Sequence, residues 1–302
     1  MTLQPFDWTW YIIFYFFFGG VAAGAYFTAA LAEIFGEKGD REMAKVGYYI
    51  AFPLTLICAV LLIVDLGRPE RFWELIAQPD PASPIGWSPT FRWQSPIQVG
   101  GFGLAGFGLF SFLSLLDVWV EEGRLKFAPL ARFYSAVPRM LYAGLGVLFG
   151  FFVAGYTGVL LTVTAQPMWA ETNWIGALFM ASAASTGAAS IGLAMALRRK
   201  PAAQEAAERL TRMDNAAIGI EIVVLVLVLA TATTMAGALL TGSFAIPFWA
   251  FVLAGIVIPL ALQLRVSFGG AHPPASLMIV ASALVLIGGF IIRYAILMVA
   301  QS

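Results

Sequence analysis

Eight apolar stretches divide this chain, and each is about as long as the 20 or so residues a helix needs to cross a bilayer. They fall near 10–35, 45–66, 97–119, 138–164, 173–197, 216–240, 247–268 and 274–299. Inside hydrocarbon every backbone N–H and C=O must be satisfied by the segment itself, which makes helix the default for such runs. Hydrophobic residues make up 60% of the chain and charged residues 11%, where a soluble domain carries about 25% charge. The expectation is an all-α membrane protein of eight transmembrane helices. Residues 1–302 then form a single integral membrane domain with no separate soluble domain. The N-terminus has neither the basic n-region nor the small-residue cleavage site of a signal peptide, so the first span is expected to be retained.

The connectors carry the charge. A short turn (36–44), a Pro/Trp-rich loop (67–96), a basic loop (120–137) and a charged loop (198–215) separate the spans, with short links at 165–172, at 241–246 and at the turn around His272. Basic loops stay cytoplasmic. With the N-terminus outside, thirteen basic residues fall on the cytoplasmic side: Lys38, Arg41, Lys45, Arg124, Lys126, Arg132, Arg139, Arg198, Arg199, Lys200, Arg209, Arg212 and Arg265. Four remain outside, namely Arg68, Arg71, Arg92 and Arg293. Both termini are therefore expected to be extracytoplasmic.

Residue counts exclude several chemistries. One cysteine, Cys58, cannot hold an iron–sulfur cluster, and one histidine, His272, cannot supply a bis-histidine haem. A redox role must use a cofactor held by neither residue type, such as a diffusible quinone. The sequence contains no Walker loop, HExxH or GxSxG. A net charge of zero gives no reason to propose nucleic acid.

With that topology the polar groups sort by side. The outer end of the second span carries Asp65, Arg68 and Arg71, and Pro69 is expected to stop the helix because it lacks an amide hydrogen. The outer entry of the first span carries Trp8, Trp10, Tyr11 and Tyr15. Tyr156 lies about 27 Å along the fourth span at 1.5 Å per residue, hence near the outer leaflet. A quinone headgroup needs an apolar aromatic slot, hydrogen-bond donors for two carbonyl oxygens and a proton acceptor nearby. Tyr156, Asp65 and Arg68 beside the aromatic start of the first span could supply these parts. Alternatively, these residues are a snorkelling and aromatic membrane boundary. On the inner half lie Glu33, Asp117 and Glu221. An intramembrane carboxylate is a functional candidate, so these three form a candidate proton path, although Glu221 could instead pair with Arg265. Small residues at Gly20 and Gly24, in the third span and around Gly187 mark close helix packing.

The chain resembles the NrfD/PsrC family of respiratory reductase membrane subunits. The resemblance rests on Phe18-Gly-Gly-Val-Ala-Ala-Gly-Ala25, Asp65-Leu-Gly-Arg-Pro-Glu-Arg-Phe72, Ser95-Pro-Ile-Gln-Val-Gly-Gly101, Tyr156-Thr-Gly-Val-Leu-Leu161 and Pro167-x-Trp169, in order along the chain. It implies eight helices in two four-helix bundles, no haem, and a menaquinone or ubiquinone site at the outer face. Tyr156 matches the family's quinone-contacting tyrosine, and Asp65 and Arg68 match the motif beside that pocket. The family's polar Asn and His in the first span are replaced here by Trp10, Tyr11 and Tyr15. The implied partners are a ferredoxin-like iron–sulfur subunit and a molybdopterin catalytic subunit, in a bacterial or archaeal cytoplasmic membrane.

The expected function is a quinone-binding membrane subunit of a multi-subunit respiratory oxidoreductase, with proton translocation as an added step. Catalytic roles fall to Asp65, Arg68 and Tyr156, and quinone contacts to Trp10, Tyr11, Tyr15 and Tyr156. No metal site is expected. The rival readings are a secondary transporter, which needs a mid-membrane site on discontinuous helices, and a purely structural anchor.

Overall fold

A computed structural model describes residues 8–36, 38–75, 77–89, 91–125, 136–164, 166–198, 203–269 and 274–301. His272 lies outside the described residues, as do Lys126, Arg132, Arg199 and Lys200. Eight helical spans are long and apolar enough to cross a membrane, so this is a multi-pass membrane protein. The helices are α1 (Trp10–Phe35), α2 (Arg41–Asp65), α3 (Pro96–Glu121), α4 (Ala136–Thr162), the short α5 (Pro167–Ala170), α6 (Ile175–Arg198), α7 (Ala203–Thr231), α8 (Thr233–Leu240), α9 (Ala245–Phe251), α10 (Ile258–Gly269) and α11 (Ala275–Val299).

Local chemistry explains most of the boundaries. α2 stops at Asp65 because Leu66 turns to extended backbone (φ −66°, ψ 132°), and Pro69 instead opens a 3-10 helix over Pro69–Leu75. The Ser95 hydroxyl accepts from Gln98 N (3.4 Å) and Pro96 occupies the first turn of α3, a position where the missing amide hydrogen costs nothing. The loop between α2 and α3 holds a small hairpin that the all-α expectation lacked. β1 (Ala77–Pro79) pairs antiparallel with β2 (Trp87–Pro89), and Gly86 supplies the positive φ of 74° in its turn.

The sixth span differs most from expectation. Its helix begins at Ala203 rather than 216, so much of the expected charged loop is helical. Arg209 ties this extension to Asp40 at 2.7 Å. The helix then breaks at Ala232 (φ −104°, ψ 78°) and restarts as α8. The break falls in Ala-Thr-Ala-Thr-Thr, where Thr231 donates back to the Leu227 carbonyl (2.6 Å) and competes with the helix ladder. The Glu171 carboxylate accepts from Thr234 N (3.1 Å) and Met235 N (3.5 Å), supplying partners for freed amides. The seventh span is irregular too. Between α9 and α10 lies a π-helical stretch, Val252–Val257, closed by Ile258 N–H to Leu253 O. Pro259 follows and cannot donate, so the wider register absorbs its missing bond. Apolar length alone points to no broken spans, yet two consecutive ones are irregular.

The core is built on α1 and α6. In each, 78% of the central window is buried, against 28–44% in the other six spans, so these two form the axis. They cross where Gly24 meets Gly187. A Cβ on Gly24 would stand 1.8 Å from the Ala183 carbonyl oxygen, and only hydrogen fits there. α1 adjoins α2 and α4, and α3 adjoins both of those; α6 adjoins α7 and α11, and α11 adjoins the seventh span. Trp8 N donates to Gln301 Oε1 (2.8 Å), which puts the described chain ends on one face, the face that also carries Asp65.

Candidate functional site

On the face with the chain ends, α1, α2, α3 and α4 converge. Asp65 closes α2 and its carboxylate accepts from the Thr9 hydroxyl just before α1. Tyr156 lies six positions from the end of α4 and Tyr15 five from the start of α1, so both sit about 8–9 Å inside the helix ends. The half-buried Tyr156 donates its hydroxyl to the Pro96 carbonyl at the first turn of α3, and its ring stacks on Phe152 (5.4 Å, 21°). Room for that ring comes from Gly100, where a Cβ would stand 2.3 Å from it. Tyr15 is 3% exposed. Cys58 Sγ donates to its carbonyl (3.8 Å), and the ring lies within electrostatic range of Tyr156.

The other residues named from the sequence divide. Arg68 is exposed in the depression formed with Arg71, Glu74 and Leu75, and no carboxylate lies within ion-pair distance of it among the described residues. Its neighbour Arg71 pairs with Glu74 at 2.6 Å, which raises the Arg71 pKa. Trp10 stands apart. It stacks on Tyr294 of α11 (5.6 Å, 17°), on a different side of α1 from Cys58. Tyr11 is exposed. The structure thus sets Tyr15 and Tyr156 at similar depth and brings Asp65 to the start of α1, but leaves Trp10 and Tyr11 on the outer wall.

Glu33 and Asp117 lie at the opposite face, inside an ion-pair network. Arg41 donates to Glu33 (2.6 Å), Asp117 (2.6 Å) and Glu121 (2.7 Å), while Arg139 reaches Asp117 (3.0 Å) and Glu33 (3.6 Å). Tyr48 donates to the second Glu33 oxygen. Both acids are matched by guanidinium groups, and the network ties the ends of α1, α2, α3 and α4 together.

Glu221 has different surroundings. Arg265 is exposed and is not its partner; instead its carboxyl sits beside the Ser182 hydroxyl and within electrostatic range of Arg293 and Asp214. Glu221 Oε1 has no partner among the described residues. Arg293, counted as an outer basic residue from the sequence, is 1% exposed in the core. Its guanidinium donates to the Phe16 carbonyl (3.1 Å), Ser182 Oγ (3.1 Å), the Gly289 carbonyl (2.7 Å) and the Phe179 carbonyl (3.4 Å), and lies over the Phe179 ring (5.4 Å). It lies about 9 Å from the end of α11 at 1.5 Å per residue. The usable signal was the small side chains facing it: a Cβ on Gly20 would stand 2.5 Å from Arg293 Nη2. Removing Arg293 from the outer count leaves three basic residues there and strengthens the charge bias. Asp214 and Gln263, hydrogen-bonded at 2.7 Å inside the second half of the molecule, were also missed.

Among the described residues no group of three or more His, Cys, Asp or Glu could hold a metal ion. Comparison with known proteins agrees with the motifs. Over 98% of its length the chain is 28% identical to a polysulfide reductase component of Wolinella succinogenes, covering 94% of that protein. Over 28% of its length it is 30% identical to a selenate reductase component of Mesobacillus selenatarsenatis, covering 20% of that protein. Residues 2–302 match the family described as polysulphide reductase, NrfD. The chain belongs to the NrfD polysulphide reductase family.

Proposed function

We propose that this protein is the quinone-reactive membrane subunit of a multi-subunit respiratory reductase. It exchanges electrons between the quinone pool and an extracytoplasmic iron–sulfur partner, while terminal catalysis resides on a molybdopterin subunit. The names of the related reductase components support a place in such a complex. The observation that carries the quinone reading is Tyr156, its ring stacked on Phe152 and its hydroxyl on the Pro96 carbonyl, at the same end of the bundle as Asp65 and at a depth similar to that of Tyr15 on α1.

A quinol (menaquinol or ubiquinol) supplies two electrons and two protons when oxidised. Tyr156, seated against Gly100, turns its hydroxyl from the Pro96 carbonyl to a headgroup oxygen. Asp65 accepts the two protons one after the other and passes each to water past the exposed Arg68. One cysteine and one histidine supply neither a cysteine-ligated cluster nor a bis-histidine haem, and in this reading electrons leave through the same face. In this reading α1–α4 and α6–α11 are two four-helix bundles, and the face with the termini is extracytoplasmic. Glu221 stays a candidate proton carrier in any translocation across the membrane, whereas Glu33 and Asp117 belong to a structural clamp.

The two irregular spans and the mid-membrane charges favour one second reading, transport of an ion through the second half. Binding of a quinol analogue to the purified chain separates the two. Saturable binding weakened by both Tyr156→Phe and Asp65→Asn supports the quinone reading. Binding indifferent to both removes the site from this face, and no binding leaves transport or simple anchoring.

A further inference from the structure

Asp214 is a buried acid that the quinone reading does not use. It sits on α7 with 4% of its surface exposed. Gln263 Nε2 donates to its Oδ2 (2.7 Å), while Oδ1 has no partner among the described residues. The carboxyl borders a partly open cavity of about 30 Å³, shared with Gln263, Thr211, Ser282 and Gly192. That space holds one or two water molecules, since a single water needs about 10–15 Å³ of this kind. Its lining supplies a carboxylate, an amide and two hydroxyls, which are hard oxygen donors suited to a small hard cation.

Charge balance defines the occupant. Among the described residues no Lys or Arg lies within ion-pair distance of Asp214, and Glu221 lies within electrostatic range of it. The packed neighbours bring only neutral groups: Ser185 from α6, Gln263 from α10 and Ser282 from α11. An ionised carboxylate without a countercharge is costly in a low-dielectric interior. One negative charge is balanced by one positive charge, and a divalent ion would leave an excess.

We propose that the cavity formed by Asp214, Gln263, Thr211 and Ser282 is a binding site for one small monovalent cation, a proton or Na⁺. Glu221 lies seven positions further along α7, on the same face and about 10 Å away along the axis. The site therefore communicates with Glu221 and, through it, with the Arg293 guanidinium that holds the Phe16 carbonyl next to Tyr15. Any effect on quinol chemistry rests on the reading above, but cation binding itself does not.

The test uses the purified full chain without quinol, at constant ionic strength with choline as the balancing ion. Radioactive Na⁺ binding and thermal unfolding are followed in wild type, Asp214→Asn, Gly192→Ala and the exposed control Arg212→Gln. If Na⁺ is the ligand, one ion binds per chain and the folding equilibrium gains about 100-fold at a concentration 100 times Kd. Asp214→Asn abolishes both effects. Gly192→Ala, whose Cβ would stand 3.2 Å from Ser282 Oγ and 3.3 Å from Met278 Cε, weakens Na⁺ binding while the charge remains. Arg212→Gln changes neither. If a proton is the ligand, Na⁺ has no effect and infrared spectra show a protonated-carboxyl stretch that is lost in Asp214→Asn and kept in Gly192→Ala. Absence of both signals in folded wild-type protein overturns the proposal.

Discussion

Two groups of intramembrane charges in this protein contrast sharply. At one end of α1–α4, Glu33 and Asp117 are matched by Arg41 and Arg139 and bridged further to Glu121. Inside the second half, Asp214 and Glu221 each leave a carboxyl oxygen without a partner among the described residues, and Arg293 is held by carbonyls and a hydroxyl rather than by a carboxylate. A matched network holds helices in place and resists a change of charge. An unmatched group is stable only if something else can come and go, such as a proton or an ion. In a membrane, burial of an acid therefore says less about its role than the completeness of its pairing.

Breaking the matched cluster should have the largest effect. Arg41→Ala removes the common partner of three carboxylates and is expected to cost roughly 3 kcal/mol of stability, since removing one member of a buried pair leaves charge uncompensated. Thermal unfolding in detergent reads this directly. Next comes the proposed quinone site: Tyr156→Phe deletes one hydrogen bond, worth about 1 kcal/mol, and should raise the Kd of a quinol analogue about fivefold with little change in unfolding temperature. Glu221→Gln sharpens the contrast, because it removes a carboxylate with no matching ion pair. Its stability should stay within about 1 kcal/mol of wild type or exceed it, whereas Glu33→Gln should destabilise in the same assay. The smallest effect is expected for Trp10→Phe, an exposed substitution within about 0.5 kcal/mol that leaves quinol-analogue affinity unchanged.

The eight spans were legible because apolar length is a local property, and most of their ends fall within a few residues of expectation. The early start of α7 was not, because Glu, Arg and Gln form helices as readily as they form charged loops. The break at Ala232 is written in a run of threonines, but its stability depends on Glu171 arriving from another connector. Tyr156, Asp65 and Arg68 could be named from residue type and motif. That Tyr15 is buried while Trp10 and Tyr11 are exposed could not, because α1 is apolar all round and its periodicity does not say which face meets which neighbour. The burial of Arg293 was hidden for the same reason. A cation near a helix end reads as an anchor until the glycines opposite it are known to make room.

The central claim is that quinone chemistry occupies the outer aromatic end of the first half around Tyr156, away from the unmatched charges of the second. Photoaffinity labelling with an azido-quinone, followed by peptide mapping of the purified chain, tests it most directly. The account predicts label on the α1 and α4 segments that carry Tyr15 and Tyr156, competed by excess quinol and reduced in Tyr156→Phe. Label confined to α7, α10 or α11 would contradict it.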